Sequence, residues 1–197
     1  MYRSKFLNYF MFGTLYFTQG TILGYFLSIN ALYFMENGLS GTDLGIFGII
    51  AMIPFVIKIL YGMLSDNVSL FGMGHRKPYI LIGLLIQIIC LIIIPSIDLS
   101  TSFWFFVANA FMLQMGMALY DTCTDGLALD TVPEEEEGTI QAIMVGGRAL
   151  GLVLTAPIVG FLAETVGWNW VFWSMAISTL IPLPFVLGIK ETDRPVE

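Results

Sequence analysis

Four ionisable side chains stand where the surrounding sequence is almost wholly apolar: Lys58, Asp121, Asp125 and Arg148. A charge in hydrocarbon is costly, so such groups face a bundle interior or a water-filled cavity and find partners there. Asp121 and Asp125 are four residues apart and share one face of any helix that carries them. Two acids and two bases support two kinds of chemistry. In the first, Lys58 or Arg148 binds an anionic solute while an aspartate takes up and releases a coupling proton. In the second, the four groups neutralise one another as a structural network, with Arg148 paired to Asp121 or Asp125. Lys58 has a third option, since its long stem can snorkel to the membrane surface. Gln19 and Gln114 sit in comparably apolar surroundings. They can contact a solute or hydrogen-bond between helices.

These groups need elements to carry them. Six apolar segments run at about 7–35, 42–64, 78–97, 101–129, 139–163 and 168–188, and each is long enough to cross about 30 Å of hydrocarbon as a helix. None shows the alternation of a barrel strand, so the expected fold is all-α, a single domain of six transmembrane helices over 1–197. At 1.5 Å per residue, Asp125 lies about 8 Å and Asp121 about 14 Å inside the end of the fourth helix. By the same rise Arg148 is about 14 Å deep, Lys58 about 9 Å, and Gln19 about 20 Å, near the midplane. Gln114 is at a depth similar to that of Gln19.

Composition points the same way. Hydrophobic residues make up 57% of the 197-residue chain and charged residues 12%, about half the charged content of a soluble domain. Of fifteen acids, four sit in one run from Glu134 to Glu137, so the net charge of −7 mostly reflects that stretch. We expect it to be a solvated loop ahead of the fifth helix. Basic patches are short, which excludes a nucleic-acid partner. Cys90 and Cys123 lie in apolar runs and suggest neither a disulfide framework nor a metal site. With one histidine in the chain, no metal cluster or nucleophile–base pair can be assembled, and neither a cofactor nor enzyme activity is expected. Tyr120-Asp121 resembles half of an intramembrane aspartyl protease site, but the second motif is absent.

Lysine and arginine set the orientation. Arg3, Lys5, Arg76, Lys77, Lys190 and Arg194 fall on one side if the segments alternate, and the opposite loops contain neither residue. Both termini are therefore expected in the cytoplasm of a cell whose plasma or inner membrane holds the chain. The first apolar run is too long for a signal peptide and reads as a retained helix.

The turn after the second segment reads Gly62-Met63-Leu64-Ser65-Asp66, then Gly72, Gly74, Arg76 and Lys77. It resembles the signature between helices 2 and 3 of major facilitator transporters. The resemblance implies a conformational latch in which Gly62 permits close packing and Asp66 pairs with a basic group. The spacer here is longer than in the common form, and Asn67 stands where the family has a basic residue, so the partner of Asp66 stays open between Arg76 and Lys77. Wider stretches are similar to the peptide–acetyl-CoA transporter group, which includes muropeptide permeases, and to folate–biopterin transporters. These are Tyr16-Phe17-x-Gln19-Gly20, Pro54-x3-Lys58-x3-Gly62-x3-Asp66, Gln87, Asp121-x3-Asp125-Gly126-x3-Asp130 and Arg148-x2-Gly151.

The resemblance implies a secondary active transporter, a symporter or antiporter working by alternating access on a small solute; the first reading of the charged cluster adds an anionic solute and a proton as coupling ion. A non-transporting assembly or receptor protein on the same fold is the alternative. The family's bundle has twelve helices in two halves, and six segments correspond to the first. The partners expected are a solute, membrane lipid and a second six-helix unit: a missing C-terminal half, a separate chain or a second copy.

The charge asymmetry predicts that a cysteine introduced at Asp98 reacts with an impermeant thiol reagent from outside the cell and one at Glu135 does not. Labelling intact cells checks this, and the reverse pattern overturns the orientation.

Overall fold

A computed structural model describes residues 4–191; Arg3 and Arg194, two of the residues that set the expected orientation, lie outside that range. Among the described residues the regular elements are helices, with no strand. The first helical stretch comprises α1 (Lys5–Gly24), a π turn (Tyr25–Ile29) and α2 (Asn30–Glu36). Next come α3 (Gly41–Val56), α4 (Lys58–Asn67) and α5 (Lys77–Ile93), the last prolonged by a 3-10 turn at Ile94–Ser96. The chain continues with α6 (Phe103–Thr131), α7 (Glu134–Thr165), α8 (Trp168–Leu180) and α9 (Leu183–Gly188). Among the described residues, five stretches are long and apolar enough to cross a membrane: Gly41–Asn67, Lys77–Ser96, Phe103–Thr131, Glu134–Thr165 and Trp168–Gly188.

Local chemistry sets the helix ends. Ser40 and Asp43 form a capping box, the Asp43 amide donating to Ser40 Oγ at 3.2 Å and the Ser40 amide to Asp43 Oδ2 at 2.9 Å. Pro54 removes one α3 amide donor, and the helix breaks at Ile57, immediately before Lys58. Gly167, with φ +92°, supplies the left-handed residue just beyond α7, and its amide returns to the Leu162 carbonyl at 2.9 Å. One boundary differs from expectation. Glu134 to Glu137 are the first turn of α7 rather than a preceding loop, because four carboxylates are favourable at a helix N-terminus and Pro133 stops the helix from extending further back.

Packing rests on glycine. A Cβ at Gly20 would lie 2.1 Å from the Arg148 carbonyl oxygen and one at Gly151 2.2 Å from that of Phe17, so α1 and α7 touch backbone to backbone. Gly83 and Gly116 do the same for α5 and α6, each added Cβ falling 2.5 Å and 2.7 Å from the other's carbonyl oxygen. Small residues matter in this way in membranes because lipid removes the hydrophobic drive between helices and leaves close van der Waals contact. Phe34, Phe47 and Phe106 form a buried aromatic cluster that Tyr33 joins to Phe172. By contrast, Gly41–Asn67 and Glu134–Thr165 are the least covered of these five stretches, and Gly45, Gly48, Gly146 and Gly160 on them face open space.

Gly116→Val forces a branched side chain into the Gly83 carbonyl, an overpacking that costs about 1–3 kcal/mol or more. A clear fall in the thermal midpoint of the purified chain is expected, whereas Gly48→Val leaves it unchanged. Equal midpoints for the two variants would show that the α5–α6 contact does not hold the bundle.

Candidate functional site

Five of the six polar groups singled out in apolar sequence, all but Asp125, line a cavity of about 230 Å³ with Leu23, Met52, Phe55 and Met117: Gln19, Lys58, Gln114, Asp121 and Arg148. Four helices supply its polar atoms. Asp121, buried on α6, accepts from Gln19 Nε2 of α1 at 2.7 Å on one oxygen and from Lys58 Nζ of α4 at 3.3 Å on the other. Lys58 is thus paired with Asp121, while its side chain remains 45% exposed. Gln19 Oε1 and both amide atoms of Gln114 are buried without a hydrogen-bond partner. Such groups are expensive to leave unmade and mark places where a further polar partner fits.

Arg148 does not pair as the sequence suggested. Among the described residues it forms no ion pair with a carboxylate. Its guanidinium carbon lies instead over the Tyr16 ring, 5.9 Å from the centroid, a cation–π arrangement. The Tyr16 hydroxyl donates to Asp125 Oδ1, so Asp125 lies behind the tyrosine rather than on the cavity wall. The four charges are not mutually neutralised: the Tyr16 phenol takes Asp125 on its hydroxyl and Arg148 on its ring face. Tyr16 opens the Tyr16-Phe17-x-Gln19-Gly20 stretch that carries the resemblance and lies three residues before Gln19, on the same helical face, but the sequence assigned it no partner.

A second cluster closes one end of the bundle. Arg76 is buried, and each arm of its fork has a partner. Nη2 donates to Asp66 Oδ1 at 2.5 Å, Nη1 to Ser65 Oγ at 2.5 Å and Nε to Asp130 Oδ2 at 3.1 Å. Gly126 makes room for it, since a Cβ there would lie 2.5 Å from the guanidinium carbon. Arg76 is thus the basic partner of Asp66. Lys77 is not: its Nζ donates to the carbonyls of Leu187 and Ile189, at 2.8 Å and 2.9 Å, at the end of α9. Gly62 is no close-packing site either, because a Cβ there would make only ordinary contact with Thr122 at 3.4 Å.

Glu191 completes the cluster. Its carboxylate accepts from the backbone amides of His75, Arg76 and Lys77 at 2.9–3.0 Å, capping α5 from outside that helix. Gly74, with φ +95°, leaves space for it. Neither Glu191 nor Asp130 stands out in the sequence as a partner of this turn, because their separation from it is 115 and 54 residues.

The family model of the Major Facilitator Superfamily matches residues 6–197. A putative transporter AmpG 4 of Rickettsia conorii is 26% identical over 184 residues, 89% of this chain and 43% of the relative. The folate-biopterin transporter of Synechocystis is 27% identical over 189 residues, 93% of this chain and 37% of that protein. The anhydromuropeptide permease of Escherichia coli K12 is 26% identical over 153 residues, 76% of this chain and 31% of that protein. The chain thus spans less than half the length of these curated relatives.

Arg76 uses three nitrogens in a planar fork that an ammonium cannot reproduce. Arg76→Lys should lower folded yield nearly as far as Arg76→Ala, since losing a partner in a buried ionic network costs about 3–5 kcal/mol. Asp66→Ala should cost about 1 kcal/mol or less, because its carboxylate is half exposed. Fluorescence size-exclusion chromatography against temperature checks this order, and a lysine variant as stable as the native chain would refute it.

Proposed function

The chain belongs to the major facilitator superfamily, and we propose that it forms the six-helix N-terminal half of a secondary transporter that carries a small anionic solute by alternating access. The observation that carries this proposal is the cavity in which Arg148, Lys58, Asp121, Gln19 and Gln114 meet among apolar walls. Arg148 is the anion ligand, because its donors are not committed to a carboxylate. Gln114 and the free oxygen of Gln19 read the solute's polar edge, and Met52, Phe55 and Met117 take its apolar part. Asp121 is the acid that exchanges a coupling proton: when it is protonated, Lys58 loses its counter-charge and a second solute charge becomes favourable there. The names of the relatives, a folate-biopterin transporter and an anhydromuropeptide permease, are compatible with a polar organic solute.

Transport requires a second wall. The open glycines on α3 and α7 support a second six-helix unit closing over the cavity, since substrate sites of such transporters lie between two halves. The Arg76 cluster, with Asp66 and Asp130, acts as the conformational latch at the end of the bundle that we assign to the cytoplasm.

Arg148→Ala should fold, because the substitution removes a cation–π interaction worth about 0.5–2 kcal/mol rather than a buried ion pair. With the second half supplied, it should show no counterflow for anionic organic solutes that the native protein exchanges. A variant that folds and exchanges them at the native rate sinks the assignment. A native protein that binds such solutes yet never exchanges them would be a receptor on the same fold.

A further inference from the structure

We propose that Tyr16 is a positioning residue that keeps the donors of Arg148 available to a solute by holding Asp125 away from it. The proposal rests on the assignment of Arg148 as the anion ligand. A guanidinium and a carboxylate on neighbouring helices within hydrocarbon attract strongly, and an arginine fork fits a carboxylate with two parallel hydrogen bonds. Such a pair would occupy the face a solute anion needs. Tyr16 satisfies both groups without letting them meet. Its hydroxyl donates to Asp125 Oδ1, and its ring face holds the guanidinium at 5.9 Å. A ring quadrupole stabilises a cation without taking its N–H donors, and arginine has five of them.

Packing holds the tyrosine in this role. It is 6% exposed and lies one turn from Gly20, where the α1 backbone meets the Arg148 carbonyl. The other cation of the cavity is handled in the opposite way, since Lys58 is paired directly with Asp121. The cavity therefore holds one committed and one uncommitted positive charge, and the phenol makes the difference.

The test is chemical modification of Arg148 by phenylglyoxal in the full chain, followed by mass spectrometry of the peptide that contains it. Tyr16→Phe keeps the ring and removes only the hydroxyl, which frees Asp125 to pair with Arg148. Modification of Arg148 should slow by about fivefold, the population shift that roughly 1 kcal/mol of pairing produces. Tyr16→Phe combined with Asp125→Asn should restore the native rate, because no carboxylate remains to capture the arginine. Arg76, buried in the other cluster, should keep its rate in both variants and reports on the fold. An unchanged or faster Arg148 reaction in Tyr16→Phe overturns the proposal, as does a double variant that stays slow. A tyrosine that merely packs would loosen the bundle and speed the reaction. Benzoate, a small carboxylate, serves as the solute probe. If it fails to protect Arg148 in the native chain, anion binding at this arginine is refuted, while the comparison of variants still decides the role of Tyr16.

Discussion

The contact between the backbones of α1 and α7 sets the geometry of the whole cavity. At Gly20 the α1 chain lies directly against the Arg148 carbonyl, and at Gly151 the α7 chain lies against that of Phe17. Lipid solvates helix surfaces as well as other helices do, so association in a membrane depends on such close approach. The contact also fixes register. With Gly20 opposite Arg148, Tyr16 falls one turn away, within reach of the guanidinium, and Gln19 turns towards Asp121 on α6. A larger residue at either glycine would push the helices apart and separate every polar pair in this layer.

The two charged clusters solve the problem of charge in an apolar setting differently. Around Asp121 the compensation is partial and shared: one amide and one ammonium on the carboxylate, one aromatic face for the remaining cation, and three amide atoms left without partners. Such a site has spare hydrogen-bonding capacity. Around Arg76 the compensation is complete, with two acids and a hydroxyl on the fork and a third acid on the adjacent backbone amides. Satisfied buried networks rigidify the structure around them, which suits a group that holds helix ends together. The Arg76 cluster also joins parts far apart in sequence, from the α4 end to the residue Glu191 that follows α9.

Much of the architecture is legible in the sequence because hydrocarbon admits few structures. Apolar runs of that length must be helices, and a charge inside one must find company. Lys58, Asp121 and Arg148 qualify as site candidates on that ground alone, and the structure does bring them to one cavity. Who pairs with whom is not legible. The expected link between Arg148 and an aspartate is replaced by a tyrosine, and Lys77 and Gly62 have contacts other than those the turn's signature implied.

The sequence by itself determined the membrane class, the all-helical fold and the place of each polar group along its helix, since these follow from length, hydropathy and residue order. Tertiary structure alone decided the azimuth and register of one helix against another, and with them the partners of Asp121, Asp125, Arg76 and Arg148. Position along a helix is a one-dimensional property that the sequence carries directly. Partnership depends on how glycine contacts turn the helices about their axes, and Glu191 meets the start of α5 only because the intervening helices fold back on one another.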